Sequence, residues 1–248
     1  MDKVKIVSII VGRKGSAGLP SKCMLPIDKM PVIEHVIKWA VSIDEPYMEH
    51  IVVISSDIEE LDEIARRYGC IFLDRSRKLA SDRAIIEDVV WDALDRLSLT
   101  HCDYVSLLYG NIPIRHKSLF IEPLRFLKGH PEFQGVLTFQ NVEKFNPSWM
   151  VELNTDCLPK WELKGHRRQE LKQYMIHDGH TCISRMEYFI TAMQRRNKSK
   201  SVKQMYECWG GLSIKPWLHE KLVVDIDTER DYLIAKAIIE SSIILHDA

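Results

Sequence analysis

The sequence predicts an α/β fold with a doubly wound, mostly parallel sheet, and three observations support this. Continuous apolar runs rich in β-branched residues recur between residues 5 and 139, as is typical of parallel strands covered on both faces. Segments with the apolar periodicity of helices separate several of these runs. The chain of 248 residues is long enough for one large α/β domain with an insertion. We therefore predict a single domain over residues 1–248.

The elements are predicted in order from these patterns. Strands are expected at residues 5–11, 50–57, 70–74, 103–110 and 135–139, and helices at residues 61–68, 86–97 and 116–129. Gly69 is expected to end the first of these helices, and Asp57 and Glu60 have the spacing of a capping box at its start. Pro123 is expected to interrupt the last one. In a sheet of this kind, ligands bind beyond the carboxyl ends of the strands.

The alternation of strands and helices ends at about residues 145–179, which we predict to be an inserted hairpin arm. Two short strand-like runs, residues 149–153 and 159–163, flank a turn-forming sequence at residues 154–156. An arm inserted in an α/β domain commonly reaches another subunit or closes over a site.

Composition argues against several classes of partner. The formal net charge of −1 and the isoelectric point near 6.8 give no overall basic field, so neither nucleic acid nor a membrane is expected as a partner. The apolar run near the N-terminus is too short to span a bilayer and lacks a small-residue cleavage site. The six cysteines include no CxxC pair, which favours buried thiols in a reducing compartment. We therefore predict a cytoplasmic protein.

The turn after the first strand reads GRKGSAGLPSK, and we call these residues, 12–22, the glycine-rich loop. Its glycines would let backbone N–H groups approach phosphate oxygens, and Arg13, Lys14 and Lys22 would offset negative charge. The spacing matches neither a Walker A loop nor GxGxxG. The loop therefore fits a polyphosphate, and the alternative is a flexible, solvated turn.

A second chemical signal is the sequence DIDT, in which Asp225 and Asp227 alternate with apolar residues. In an extended segment the two carboxylates share one face, where with substrate phosphates they could hold Mg²⁺. The alternative is that Asp225 pairs with a surface cation while Asp227 or Thr228 caps the next helix. Thr228 and Asp231 have the spacing of a capping box.

The motifs occur in an order that resembles the acylneuraminate cytidylyltransferases, a family that includes the CMP-sialic acid and other CMP-nonulosonic acid synthetases. The chain has GRKGSAGLPSK after the first strand, then IVVISSDIEELDEIARRYG, DRSRKLASD, a strand followed by IPIR, RRQEL, HDG and DIDTERD. The resemblance covers nearly the whole chain, and the ordered set is more specific than any single motif.

This resemblance implies a Rossmann-like fold with a dimerisation arm, assembled as a homodimer or a tetramer. It implies transfer of CMP from CTP to the anomeric hydroxyl of a nonulosonic sugar acid, with Mg²⁺ or Mn²⁺ as cofactor. The implied nucleotide-binding residues are Arg13, Gly15, Ser16, Lys22 and Arg75. The implied substrate-binding residues are Tyr109, Arg168 and Asp178. Asp225 and Asp227 would bind the metal, and the implied catalytic residues are Arg13, Lys22 and Asp227.

The chain departs from the family pattern at several positions. Ala17 and Cys23 stand where the glycine-rich loop of the family often has lysine and asparagine. Tyr109 stands where the family has glutamine, and residues 178–180 read DGH instead of NGA. The last two changes lie where the sugar is expected to bind, so another nonulosonic acid or a 3-deoxy sugar acid is an alternative to N-acetylneuraminate. Two further hypotheses are a nucleotidyltransferase of this fold with another nucleotide and a non-catalytic nucleotide-sugar-binding protein.

Overall fold

The structure, a computed structural model, describes residues 3–15, 18–160, 167–199 and 206–241. The strands in these ranges are β1 (Val4–Val11), β2 (Pro26–Ile27), β3 (Met30–Pro31), β4 (Met48–Ser56), β5 (Ile71–Asp74), β6 (Tyr104–Tyr109), β7 (Gly135–Asn141), β8 (Glu152–Leu153), β9 (Pro159–Lys160), β10 (Met175–Arg185) and β11 (Ile214–Leu218). The α-helices are α1 (Val32–Val41), α2 (Leu61–Tyr68), α3 (Ile86–Arg96), α4 (Ser118–Gly129), α5 (Met186–Ser199) and α6 (Glu229–Glu240). Each strand and helix predicted above has a counterpart among them.

A seven-stranded sheet lies at the centre, in the order β11-β7-β10-β6-β1-β4-β5. Strand β1 pairs in parallel with β4 and β6, β4 pairs in parallel with β5, and β7 pairs in parallel with β11. Only β10 is antiparallel to its neighbours, β6 and β7. The predicted α/β fold with a mostly parallel sheet is confirmed.

The central strand β1 buries side chains on both faces of the sheet. Ile6 and Ile10 pack with residues of α1, α2 and α4, whereas Val7 and Ile9 pack with residues of α3 and α5. All four side chains are fully buried. Helices on both faces explain why the strand reads as an unbroken apolar run, and they give the doubly wound arrangement.

Strand register brings several chain segments to one edge of the sheet. Val11 at the end of β1 lies opposite Ser55 of β4 and Tyr109 of β6. Because β10 is antiparallel to β6 and β7, it is the beginning of β10 that reaches this edge. The loops after β1, β4 and β6 and the start of β10 therefore surround a common region.

Two local expectations are wrong. The N-cap of α2 is Glu60, with no side-chain cap, and the Asp57 carboxylate instead accepts a hydrogen bond of 2.8 Å from the backbone N–H of Lys14. Asp57 therefore holds the glycine-rich loop. Helix α4 runs without a break through Pro123, which is buried with the apolar face of the helix, so packing offsets the backbone hydrogen bond that proline cannot donate. Gly69 does end α2, with a φ of 69°.

The segment between β7 and β10 contains a short hairpin. Strands β8 and β9 pair antiparallel, and the side chain of Asn154 accepts hydrogen bonds from the backbone N–H groups of Asp156 and Leu158 at the turn. Residues 161–166, within the predicted arm, lie outside the described part of the chain. Strand β10 begins at Met175, so residues 175–179 belong to the central sheet and not to the arm.

All six cysteines are free thiols, and Cys23, Cys102, Cys182 and Cys208 are buried. The predicted burial is confirmed at these four positions, whereas Cys70 is half-buried and Cys157 is exposed. Among the helices of the described ranges, none has both the length and the apolar content needed to cross a bilayer.

Candidate functional site

A cleft of about 410 Å³ opens at the edge where the parallel strands end. It is lined by Val11, Gly12, Arg13, Gly18, Lys22, Cys23, Arg75, Ile86, Tyr109, Asn111 and Asp227. Three of these side chains are cationic and one is a carboxylate. The fold thus brings together Arg13, Lys22, Arg75 and Asp227, which lie far apart in the sequence.

The glycine-rich loop comes very close to the DIDT segment. A Cβ atom at Gly18 would lie 2.6 Å from the backbone oxygen of Asp227, so this approach requires glycine. Gly15 is exposed and has no such neighbour within 4 Å. Ser16, predicted to bind the nucleotide, lies outside the described residues, as does Ala17.

The two arginines of the cleft are held in different ways. Arg13 forms an ion pair of 2.6 Å with Asp82. Arg75 is buried, and its guanidinium donates to the backbone oxygen of Ser55 and, at 3.3 Å, to the hydroxyl of that residue. Burial lowers the pKa of Arg75 to about 10, which leaves the group charged at neutral pH. The cleft therefore carries permanent positive charge.

The two aspartates of DIDT lie on the exposed face of their segment, as the alternation predicted, and Asp227 lines the cleft. Val224 and Ile226 are buried, whereas Asp225 and Asp227 are exposed. Lys22 Nζ lies 2.5 Å from Asp227 Oδ1. This ion pair joins the glycine-rich loop to the DIDT segment.

Helix α6 is capped by other residues. The Thr228 hydroxyl accepts from the backbone N–H of Asp231, and the Asp231 carboxylate accepts from the backbone N–H of Thr228 at 2.9 Å, which completes a capping box. The cap of the alternative interpretation is therefore confirmed, and Thr228, one of the two residues it named, forms it with Asp231. The side chains of Asp225 and Asp227 take no part in it.

The charges around Asp225 and Asp227 suit a divalent cation. Although Asp225 as a residue is exposed, protein atoms crowd its carboxyl group, and this desolvation, followed by the charge of Asp227, raises its pKa to about 6. A bound cation would relieve this repulsion. In the described ranges no group of three His, Cys, Asp or Glu side chains could hold a metal. Water and phosphate oxygens would therefore complete a site of the kind Mg²⁺ prefers.

The loop between β6 and α4 supplies two residues to which the sequence analysis gave no role. Asn111 Nδ2 donates to Asp225 Oδ1 at 2.5 Å. Arg115 is buried, and its guanidinium donates to the backbone oxygens of Tyr109, Ile112 and His180. The rule that ligands lie beyond the carboxyl ends of strands could have identified Asn111, which is the first polar residue after β6.

A second cavity, of about 260 Å³, adjoins the cleft, because Ile86 and Tyr109 line both. Its other walls include His177, Cys182, Tyr206 and Trp209. His177 Nδ1 donates to the backbone oxygen of Thr138 at 2.8 Å, so its neutral ring keeps Nε2 as an acceptor. The cavity thus has aromatic walls and at least one polar group.

Asp178 is held by protein partners. Its Oδ1 accepts from the Thr138 hydroxyl at 2.6 Å and from the His180 backbone N–H at 2.9 Å, and its Oδ2 accepts from His219 Nε2 at 2.5 Å. Burial acts to raise the pKa of Asp178, but these hydrogen bonds outweigh it and hold the pKa below the ordinary value. The geometry gives Asp178 a supporting role at the start of β10, and its direct contact with a substrate stays a prediction. Arg168 begins a short 3-10 turn, and its side chain lies outside the described part.

Comparison with known proteins identifies relatives of this chain. A sequence model of the cytidylyltransferase family matches residues 7–131, about half of the chain. The N-acylneuraminate cytidylyltransferase of Streptococcus agalactiae serotype V is 27% identical over 233 residues, which cover 93% of this chain and 52% of that protein. The pseudaminic acid cytidylyltransferase of Campylobacter jejuni serotype O:2 is 30% identical over 137 residues, which cover 52% of this chain and 56% of that protein. The chain thus spans about half the length of the curated relatives it matches.

A solved structure shares the fold. The structure of CMP:2-keto-3-deoxy-manno-octonic acid synthetase complexed with CTP superimposes with a TM-score of 0.69 and 19% identity, covering 96% of this chain and 99% of that one. At this level of identity the likeness shows the fold alone. The family match extends from β1 through α4 and so includes the glycine-rich loop, Arg75 and the loop that carries Asn111. The chain belongs to the cytidylyltransferase family.

Proposed function

We propose that the chain transfers CMP from CTP to the anomeric hydroxyl of a nonulosonic sugar acid and releases pyrophosphate. The observation that carries this proposal is one cleft in which Arg13, Lys22 and Arg75 lie beside the carboxylate of Asp227. Cations suit a triphosphate, and paired carboxylates suit the metal that accompanies it. The names of the relatives support cytidine as the base and a sugar acid as the acceptor.

The cations would bind the triphosphate by exchanging partners. In the free protein Lys22 pairs with Asp227 and Arg13 pairs with Asp82. Phosphate oxygens would compete for both cations, while Arg75 stays anchored to Ser55 and keeps its charge near the cleft. The backbone N–H groups of the glycine-rich loop would add neutral donors.

Asp225 and Asp227 would hold Mg²⁺ or Mn²⁺, which when bound supplies positive charge to phosphate oxygens. The residues of the chain would then act by position and charge. The acceptor hydroxyl attacks the α-phosphorus and loses its proton to solvent, the new O–P bond forms, and the bond to the pyrophosphate oxygen breaks, so that pyrophosphate leaves. Arg13 and Lys22 would stabilise the negative charge that gathers on the leaving pyrophosphate.

The acceptor would occupy the 260 Å³ cavity beyond Tyr109. This cavity adjoins the cleft, and its aromatic walls would cover the apolar faces of a sugar ring. Tyr109 stands between the two spaces, so we assign it the role of selecting the acceptor. Arg168 would bind the sugar carboxylate, as the resemblance implies.

The inserted arm supports a homodimer. Large apolar side chains are exposed on it and beside it, namely Phe145, Met150, Leu153, Leu158 and Ile176. Exposed apolar groups of this kind are typical of protein interfaces. The free thiols support a cytoplasmic location, where disulfides rarely form.

The test is pyrophosphate release with Mg²⁺ from CTP, UTP, ATP and GTP, each offered N-acetylneuraminate, pseudaminate, legionaminate and 2-keto-3-deoxy-manno-octonate. We expect release with CTP and with at least one nonulosonic acid. Release only with another nucleotide, or only with the 3-deoxy octonate, would replace the proposal by the corresponding alternative. CTP binding without release from any acid would favour a non-catalytic binding protein.

A further inference from the structure

We propose that Asn111 is a positioning residue that orients the metal-binding carboxylate of Asp225, an inference that rests on the proposed function. Asn111 Nδ2 donates to Asp225 Oδ1 at 2.5 Å and to the backbone oxygen of Ile226 at 3.1 Å. In return, the backbone N–H of Ile226 donates to the backbone oxygen of Asn111 at 3.0 Å. One residue thus makes three hydrogen bonds to the DIDT segment.

The chemistry of these contacts defines the orientation of the amide. A carboxylate oxygen and a carbonyl oxygen can only accept, so the nitrogen of the Asn111 amide must face both. Asn111 is only 8% exposed, so water competes little for these bonds. Because Asn111 donates hydrogen bonds to both the carboxylate of Asp225 and the backbone of the next residue, it restricts the side-chain rotation of Asp225.

The backbone on either side of Asn111 is itself held by hydrogen bonds. Arg115 donates to the backbone oxygens of Tyr109 and Ile112 at 2.7 and 3.0 Å, and also to that of His180. The loop between β6 and α4 is therefore attached to β10 through the backbone of His180. Because the backbone at Asn111 is fixed in this way, its amide can hold the Asp225 carboxylate in one position.

The two aspartates consequently differ in how they are held. Asp227 pairs with Lys22, whose long side chain can leave when phosphate binds. Asp225 Oδ1 accepts from the short, buried amide of Asn111, so we expect Oδ2 to be the oxygen that contacts a cation. Asn111 would thus set the position of one metal ligand before the nucleotide arrives.

The test compares Asn111→Thr with Asn111→Val, two variants of nearly equal shape of which only threonine keeps a donor. Calorimetry would measure CTP affinity in Mn²⁺ and in excess EDTA, and the ratio of the two affinities gives the gain due to the metal. We expect valine to reduce this gain by about tenfold or more, threonine to reduce it less, and the affinity in EDTA to change little in both. Gln194→Leu, which removes an exposed amide from α5, is the control and should match the wild type.

If Mn²⁺ raised the CTP affinity of Asn111→Val as much as it raises that of the wild type, the proposal would be overturned. Equal losses in EDTA and Mn²⁺ would also overturn it, because they would indicate a purely structural role. If the valine variant does not fold, the proposal is tested by comparing the threonine variant with the wild type. The threonine variant should still lose some CTP affinity in Mn²⁺ and none in EDTA. The proposed metal site itself fails if the wild type shows no metal gain or if Asp227→Asn leaves that gain unchanged.

Discussion

At the residue scale, four neighbouring polar side chains serve two separate purposes. Thr228 and Asp231 form the capping box of α6, whereas Asp225 contacts Asn111 and Asp227 contacts Lys22, two residues that line the cleft. One acidic or hydroxyl group would have sufficed for the cap. The additional aspartates are therefore explained by the cleft, where their mutual repulsion is balanced in part by Lys22.

Lys22→Met tests the role of the ion pair between Lys22 and Asp227. We expect CTP to bind about tenfold or more weakly, because a cation that meets phosphate is lost. In the nucleotide-free protein we expect Mn²⁺ to bind more tightly, because Asp227 loses its competing partner. Calorimetry would measure both affinities, and Lys38→Met, at an exposed position of α1 outside the cleft lining, is the matched control. Identical behaviour of the two variants would contradict the assigned role of Lys22.

Asp225→Asn should stabilise the metal-free protein at pH 7. The pKa of Asp225 in the folded state, about 6, lies above its unfolded value, so the folded protein holds the proton more tightly. The stability from this group is present below the unfolded pKa and is lost as the pH rises through about 6. Because the residue is exposed, solvent screening limits the gain in unfolding free energy at pH 7 to about 1 kcal/mol.

The measurement is chemical denaturation of the wild type and Asp225→Asn in EDTA at pH 4 and pH 7. The gain should be seen at pH 7 and should shrink at pH 4, where the wild-type carboxyl group is largely protonated. A loss of stability at pH 7 would show that the ionised carboxylate is favourable in the folded protein.

At the element scale, the site is built where the ends of parallel strands come level. Val11 lies opposite Ser55 and Tyr109, so the glycine-rich loop, the loop after β4 and the loop after β6 emerge side by side. The DIDT segment contacts Asn111 and Gly18 of these loops and leads directly into α6. The capped start of α6 thus fixes the position of the backbone directly after Asp225 and Asp227.

Thr228→Ala separates the helix cap from the chemistry. Loss of the cap should lower the free energy of unfolding by about 1 kcal/mol, which for a domain of this size corresponds to roughly 2–4 °C in Tm. The dependence of activity on Mg²⁺ should change little, since the Thr228 side chain bonds only within the cap. Ser241→Ala at the other end of α6 is the control. Loss of the Mg²⁺ response in Thr228→Ala alone would contradict this separation.

Much of the element order could be predicted from sequence, because buried parallel strands and amphipathic helices have distinct apolar patterns. The cap of α2 could not, because Asp57 bonds to Lys14 from a distant loop instead of to its own helix. The same limit applies to the site. Asp225 and Asp227 are recognisable from their local spacing, but the contact between Asn111 and Asp225 spans 114 positions and follows only from the sheet order.

At the scale of the whole molecule, the cleft belongs to the central sheet, whereas the arm has a small sheet of its own. The cleft is formed by loops anchored to a buried sheet, whereas β8 and β9 form a separate two-stranded hairpin. Leu153 and Leu158 of this hairpin region are 56% and 61% exposed. Apolar groups with this exposure are expected to be covered in an assembly.

The double variant Leu153→Asp and Leu158→Asp tests the dimer. Sedimentation analysis should show a dimer for the wild type and a shift to monomer for the double variant, because charges would have to be buried in the interface. Leu212→Asp is the matched control, since Leu212 is 93% exposed outside the arm. A double variant that stays dimeric would show that the arm is not the interface.

We propose that Asp225 and Asp227 serve a metal-dependent transfer of CMP, and the most direct test is pyrophosphate release from CTP by Asp227→Asn across a range of Mg²⁺ concentrations. This substitution removes the charge of a ligand with almost no change in volume. With the acid that the wild type prefers, we predict that turnover falls by at least about a hundredfold, while the unfolding transition changes little and Asp44→Asn, at an exposed position, behaves as the wild type. Release at the wild-type rate with an unchanged Mg²⁺ dependence would contradict the proposed role of Asp227.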